Sequence, residues 1–384
     1  MAPSSGKKNL APRPKLTEAQ IADRNIVGIN KETVSNTTST DFPGNYPNED
    51  HAWDKDVFRR LFRVEWHQNE RYEAQFSLVG VDASVANAFR RILIAEIPTL
   101  AIETVFVSNN TSVIQDEVLA HRLGLIPFTG GKKGLREKMG FWRKPGPDED
   151  TFATTFDNNT VSAKLVAKCT HNKEASKNET DPTKLYHNAH LYAKDIVIEL
   201  QGGQHSWFSG EDMIRPVNPD ILIAKMRPGQ EVDIEMHMHK GYGWDHAKYS
   251  PVATASYRLM PTIQILQPIL GADAQKFSDC FMDGVVGLEP VTRAEARQKG
   301  SGYEGHEGEM KAVIKDPKRD TVSREVLRHP EFEGKVKLGR RRDHFIFSIE
   351  STGQWDSDEL FLEAVQTLKK KCQVLRPQVE NMVY

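Results

Sequence analysis

Three histidines stand close enough in the chain to raise the question of a metal. His237 and His239 are two residues apart, and Glu231 to Met238 alternates apolar and polar residues. That period marks a strand, so both imidazoles share one face. His246 follows after a Gly-rich stretch. A metal site needs three or four ligands converging on one point, with outer partners that orient them. This spacing does not supply that set and fits polar surface or interface histidines better. Cys169 and His171 meet the same objection, since no CxxC partner accompanies them. Arg340, Arg341 and Arg342 could touch phosphate, but one short basic cluster is usually a solvated edge or a contact to an acidic protein. No Gly-rich phosphate loop, nucleophile elbow or HExxH pair occurs. The residues therefore point to no catalytic group, no metal and no cofactor.

The elements that would position any site read unevenly. The chain has 384 residues and a formal charge of −2, which favours more than one domain and gives no overall basic signature. Cys169, Cys280 and Cys372 are too scattered for a disulfide framework. No apolar run approaches the ~18 residues of a membrane span and no signal sequence is evident, so an intracellular soluble protein is expected. The first 50 or so residues are polar and rich in Pro, Ser, Thr and Asn, which predicts a flexible arm over 1–55. Phe62–Trp66 and Tyr72–Leu78 alternate and are expected to pair as a hairpin. Val161–Lys168, Asp195–Leu200 and Glu231–Met238 read as further strands. The stretch 290–343 is charged, Gly-rich and poorly periodic, and is expected to be an insertion with limited structure. Fold class is α+β.

Two helices carry the strongest patterns. From Asp82 or Ser84 as cap, Val85, Phe89, Ile92 and Leu93 fall on one face, with Ala86 and Ala88 beside them, and Pro98 stops the run. Arg90 and Arg91 leave that face together. Near the other end, Asp356 and Glu359 fit a capping box. Phe361, Val365, Leu368, Cys372 and Leu375 then recur at spacings of 4, 3, 4 and 3, with Lys369, Lys370 and Lys371 alongside and Pro377 as the expected stop. A third, shorter helix is expected over Asp116–Leu123, with Val118, Leu119 and Leu123 inward, Gly124 left-handed and Leu125 packed back on its last turn.

The wording of these segments resembles one family. Asn87-Ala-Phe-Arg-Arg-Ile-Leu followed by Glu96-Ile-Pro98 resembles the signature of the alpha-like assembly subunits of multisubunit RNA polymerases, which include bacterial alpha, the archaeal D subunit and the third subunit of RNA polymerase II. His121-Arg-Leu-Gly124-Leu-Ile-Pro127 is similar to the family's next phrase. Lys240-Gly241-Tyr-Gly-Trp-Asp-His246-Ala-Lys248-Tyr-Ser250-Pro251 resembles a third, with Tyr249 where Trp is usual. Phe345–Gly353 supplies a fourth block.

The resemblance implies a dimerisation domain in two segments, 56–103 and 250–384, split around an inserted α+β domain at 104–249. It implies a non-catalytic scaffold that pairs with a smaller alpha-like subunit and nucleates binding of the second-largest subunit and small zinc-binding subunits. Asn87, Phe89, Arg90, Arg91, Ile92, Leu93, Phe361, Val365, Leu368 and Cys372 are then the expected interface. Phe89, Ile92 and Leu93 would pack the dimer and domain core, and Arg90 and Arg91 would reach a large-subunit carboxylate or carbonyl. Glu96, Ile97, Pro98, His121, Arg122, Gly124, Pro127, Lys240, Gly241, His246, Lys248, Ser250 and Pro251 are expected to be structural or subunit contacts. Between 104 and 249 only Cys169 occurs. That points away from the zinc site of the RNA polymerase II member and the iron–sulfur cysteines of many archaeal ones, toward the branch shared by polymerases I and III. A nuclear protein, including the nucleolus, is the corresponding expectation.

Overall fold

A computed structural model describes residues 23–37, 53–146, 154–176 and 179–382. In chain order its main elements begin with β1 (Ile26–Ile29), β2 (Val34–Ser35), α1 (Lys55–Leu61), β3 (Arg63–Asn69), β4 (Glu73–Val79) and α2 (Ala83–Ala95). There follow β5 (Thr99–Asn110), α3 (Asp116–Gly124), α4 (Lys132–Glu137), β6 (Thr160–Lys168), β7 (Val197–Glu199), β8 (Glu231–Gly241) and β9 (Val252–Ile265). The last are α5 (Gly271–Asp279), β10 (Val286–Pro290), β11 (Met310–Ile314), β12 (Val336–Ser351) and α6 (Ser357–Met382). The fold is α+β. One sheet has the order β2-β1-β12-β4-β3, with β9 also on β12, and a second has the order β7-β6-β8-β5.

The chain divides into two compact units, each assembled from three segments. The first takes residues up to Glu65, Ser77–Ala86 and Tyr257–Ile346. Its core gathers Ile29, Ile263, Phe277, Val326, Phe332 and Leu338. Phe277 meets Phe281 at 5.0 Å and Phe332 at 5.4 Å between ring centres. The charged stretch 290–343 is more structured than its pattern predicts. β10 and β11 pair from Val286↔Ile314 to Pro290↔Met310, and a Thr292–Glu295 capping box opens the short helix Arg293–Arg297. Single apolar residues, not periodic runs, tie it to the core. Most of the expected arm lies outside the described residues. Within it, β1 pairs with β12 from Ile26↔Arg341 to Ile29↔Leu338.

The Arg340 cluster belongs to that ladder. Arg341 reaches Asp343 at 3.2 Å, and the Arg342 backbone N–H donates to the Asn25 carbonyl at 2.9 Å. Only Arg340 of the three is fully exposed.

The second unit takes Trp66–Phe76, Asn87–Ser256 and Phe347 onward. β8 runs antiparallel between β5 and β6, with Met236 opposite Val105 on one side and Ala163 on the other. Its first six residues alternate in burial, but from His237 to Gly241 every residue is buried. Both faces of the sheet are covered there. α3 turns Leu119 and Leu123 inward, while Val118 and Leu125 are exposed, against expectation. Gly124 is the last helical residue rather than a left-handed cap. A β-carbon on it would sit 3.4 Å from the Ile102 carbonyl oxygen, an ordinary contact, so neither backbone sign nor space singles out glycine there.

Candidate functional site

Asp82 opens α2 by accepting from the Ser84 N–H at 2.8 Å, and the hydrogen bonds from Ser84 hold its carboxyl below the usual range. In the second unit, Phe89, Ile92 and Leu93 point inward as the period predicts. Phe89 meets Phe361 of α6 edge-on at 5.4 Å, Phe361 lies 4.6 Å from Phe76, and Phe76 stacks on Phe347 at 5.5 Å. Four rings from four separate stretches thus form one aromatic core.

α6 has two different halves. Ser357, Leu360, Phe361 and Ala364 are buried, and no later residue of the helix is. Its first turn is anchored by charge. The Lys132 ammonium sits between Asp356, at 3.2 Å, and Glu359, and Arg136 pairs with Glu363. Both cations lie over the Trp355 ring. Burial disfavours the Lys132 charge, but the two carboxylates outweigh it and raise the ammonium above its ordinary range. The Asp356 carboxylate is shared between Lys132 and Arg71, and that of Glu359 reaches Lys132.

Beyond Ala364 the stripe continues into the open. Val365, Leu368, Cys372, Leu375, Val379 and Met382 recur at alternating spacings of 3 and 4, the period of a helix-pairing seam. Val365 is 39% exposed, Val379 57% and Met382 84%. Cys372 is exposed too. α6 also runs through Pro377 to Met382. A proline there forfeits one backbone bond and crowds the carbonyl four residues back, yet the helix continues past it. The seam is two turns longer than its sequence punctuation suggests. Lys371 consequently lies well inside the helix, where it pairs with Glu96 at 2.6 Å instead of answering the helix dipole.

The other motif residues are mostly accounted for by packing. The Arg90 guanidinium donates to the Asn87 side-chain oxygen at 2.9 and 3.0 Å, whereas Arg91 is exposed. Ile97 is fully buried and Pro98 half-buried. His121 is exposed, Arg122 donates to the Leu222 carbonyl at 2.7 Å, and the Pro127 carbonyl accepts from Val217 at 2.9 Å. Lys240 is buried, its ammonium donating to the Leu135 carbonyl and, at 3.1 Å, to that of Met139. A β-carbon on Gly241 would strike the Tyr249 ring, and one on Gly243 would come within 2.3 Å of the Ile94 carbonyl oxygen at the exit of α2. The Gly-Tyr-Gly spelling thus lets a turn lie against that exit.

His246 accepts from the Lys248 N–H at 3.1 Å. The Lys248 ammonium bonds the Ile102 carbonyl at 2.8 Å and pairs with Glu103, to which Tyr249 donates at 3.0 Å. Burial works against the Glu103 carboxylate, yet these partners hold it below its ordinary range. Ser250 donates to Val252 at 3.0 Å, and the Pro251 carbonyl accepts from the Thr352 N–H and hydroxyl at 3.0 Å.

His237 and His239 are core residues, not surface ones, at 4% and 1% exposure. His239 stacks on Trp142 at 4.2 Å, with Nδ1 3.2 Å from the Asn159 carbonyl oxygen. His237 meets Phe106 edge-on at 4.9 Å. Among the described residues no three His, Cys, Asp or Glu side chains are placed to share a metal.

Burial pushes the His239 imidazole down to about 4 from 6.5. Between those pH values the unfolded chain takes up a proton that the folded chain refuses. Stability is therefore complete above 6.5 and is lost as pH falls toward 4, at about 1.4 kcal/mol per unit of displacement. Thermal melts should show that slope, and His239→Phe, which keeps a ring against Trp142, should flatten it. An unchanged slope would assign the acid sensitivity to other groups.

Residues 75–372 match the model of the RNA polymerase Rpb3/Rpb11 dimerisation domain. The Saccharomyces cerevisiae protein named DNA-directed RNA polymerases I and III subunit RPAC1 is 47% identical over 353 residues, covering 92% of this chain and 98% of its own length. The Homo sapiens protein of that name is 44% identical over 349 residues, covering 91% and 93%. The Dictyostelium discoideum protein named DNA-directed RNA polymerase II subunit rpb3 is 31% identical over 299 residues, covering 77% and 87%.

Proposed function

This chain belongs to the family of the RNA polymerase Rpb3/Rpb11 dimerisation domain, and on that premise we propose that it is the larger alpha-like subunit of RNA polymerases I and III. It is a non-catalytic assembly subunit that works in the nucleus, inside the complexes that transcribe ribosomal RNA, 5S RNA and tRNA genes. With polymerase I among them, the proposed location includes the nucleolus. The observation that carries the reading is the open half of α6. A helix of 26 residues whose apolar seam outlasts its own unit is built to be completed by another chain.

The partner proposed for that seam is the smaller alpha-like subunit. Val365, Leu368 and Cys372 would meet it directly, with Phe89, Ile92, Leu93 and Phe361 supporting them from beneath. Arg91 is free to reach a large subunit, while Arg90 and Asn87 brace each other. The resulting pair would receive the second-largest subunit and small zinc-binding subunits. In this scheme 1–55 is an arm, 56–103 and 250–384 are the dimerisation segments, and 104–249 is the inserted domain.

The equivalent place in RNA polymerase II is the weaker alternative. The relative of that name is less similar than the polymerase I and III relatives, and the inserted region has a single cysteine. Coexpression with the smaller alpha-like subunit of the same organism, followed by light scattering, should give a one-to-one complex. A monomer indifferent to that partner would remove the reading.

A further inference from the structure

A groove of about 870 Å³ runs in the second unit between the exit of α2 and the middle of α6. It lies on the side of α6 that carries Glu363, Thr367, Lys370 and Val374, mostly away from the Val365–Val379 seam. Its charge is lopsided. Five cationic side chains line it against two carboxylates, and both carboxylates are already engaged, Glu96 by Lys371 and Glu363 by Arg136. The cations left over are Arg91 and Lys370, both exposed, and the buried Lys240.

The wall opposite α6 is aromatic. Phe141 stacks on Tyr242 at 4.7 Å, and Tyr242 stacks on Trp244 at 5.8 Å. Trp244 is 69% exposed, and Val374 faces it from α6 with a similar exposure. Apolar surface of this kind beside unanswered positive charge calls for an occupant with anionic and apolar groups in alternation.

We propose that this groove binds an extended acidic segment of another polypeptide in the assembly, its carboxylates meeting Arg91 and Lys370 and an apolar side chain lying on Trp244. Burial lowers the Lys240 ammonium, and the neighbouring charge of Lys370 lowers it further, so an anion seated there relieves a standing repulsion. Single-stranded nucleic acid also favours cations beside aromatic rings. A phosphodiester strand, however, carries a charge on every nucleotide and wants a continuous track of cations. This groove offers only Arg91 and Lys370 as exposed unpaired cations, with the apolar Val374 and Leu375 beside them, which suits spaced carboxylates interrupted by apolar side chains. The proposal rests on the chain being an assembly subunit.

The experiment uses purified polymerase carrying a photoreactive benzoylphenylalanine in place of Trp244. The expected cross-link is to a segment of another subunit with Asp or Glu on both sides of the captured residue. Cross-linking to nucleic acid, to a neutral or basic segment, or to nothing overturns the proposal. A second arm combines Trp244→Ala and Lys370→Glu, neither of which belongs to the apolar seam. The heterodimer should keep its one-to-one mass by light scattering, while its incorporation into polymerase falls by about tenfold or more, the effect of one modest charge contact. Unchanged incorporation overturns the proposal. So does loss of the heterodimer itself, because the groove would then belong to the seam. Failure of the wild-type heterodimer to form would instead strike the assembly reading.

Discussion

Val365→Asp combined with Val379→Asp is expected to weaken the heterodimer by about a thousandfold or more while leaving the isolated chain folded. In the seam each carboxylate would be stripped of water without a partner, at a cost of several kcal/mol. Every 1.4 kcal/mol is about tenfold in affinity. In the isolated chain both positions are open, and substitutions at such sites usually stay within about 0.5 kcal/mol. That difference makes the pair diagnostic. Phe89→Asp is a poorer test, because Phe89 is buried against Phe361 and its loss would unfold the unit that presents the seam. Calorimetric titration would give the affinity and a thermal melt the fold. Unaltered affinity with both charges in place would move the interface off α6.

Phe361→Ala should have the largest effect on stability, about 3–5 kcal/mol, the usual cost of emptying a buried aromatic site. Phe361 touches both Phe76 and Phe89, so the cavity would open between β4, α2 and α6 at once. Denaturant titration should show the midpoint falling with little change in slope, the sign of lost stability rather than altered compactness. Phe361→Leu should recover much of the loss, since it refills most of the volume. A loss below about 1 kcal/mol for the alanine variant would mean that the α6 anchor resides in the Lys132–Asp356–Glu359 cluster instead.

What could be read from the sequence was whatever repeats or is spelled by local rules. α2 and α6 announce themselves by apolar spacing, and the β3–β4 hairpin by alternation. Single punctuation marks misled. Pro377 marks no boundary, since the helix runs on past it to Met382, and Gly124 sits in helical backbone with ordinary room for a β-carbon. His237 and His239 share the alternation that begins β8, but that alternation ends where both faces of the sheet are covered. The ring that covers His239 is Trp142, from a stretch without periodicity, so nothing local foretold burial.

Lys132, Arg136 and Trp355 went unnoticed for the same reason, since their association exists only in three dimensions. One signal was available and unused. The 3-and-4 spacing from Phe361 continues past Pro377 to Val379 and Met382, and counting through the proline would have found the full seam.

The aromatic core also sets a condition on how the protein can be made. Arg71 and Asp356 stand 3.3 Å apart although 285 residues separate them, and Phe76, close by in the chain, waits for Phe347 and Phe361. A nascent chain on the ribosome carries β4 and α2 for most of translation with their apolar faces bare, a state that invites chaperone binding. Any product ending before Ser357 lacks both the ring that closes this core and the helix that offers the seam. Folding and eligibility for assembly thus hinge on the same late stretch.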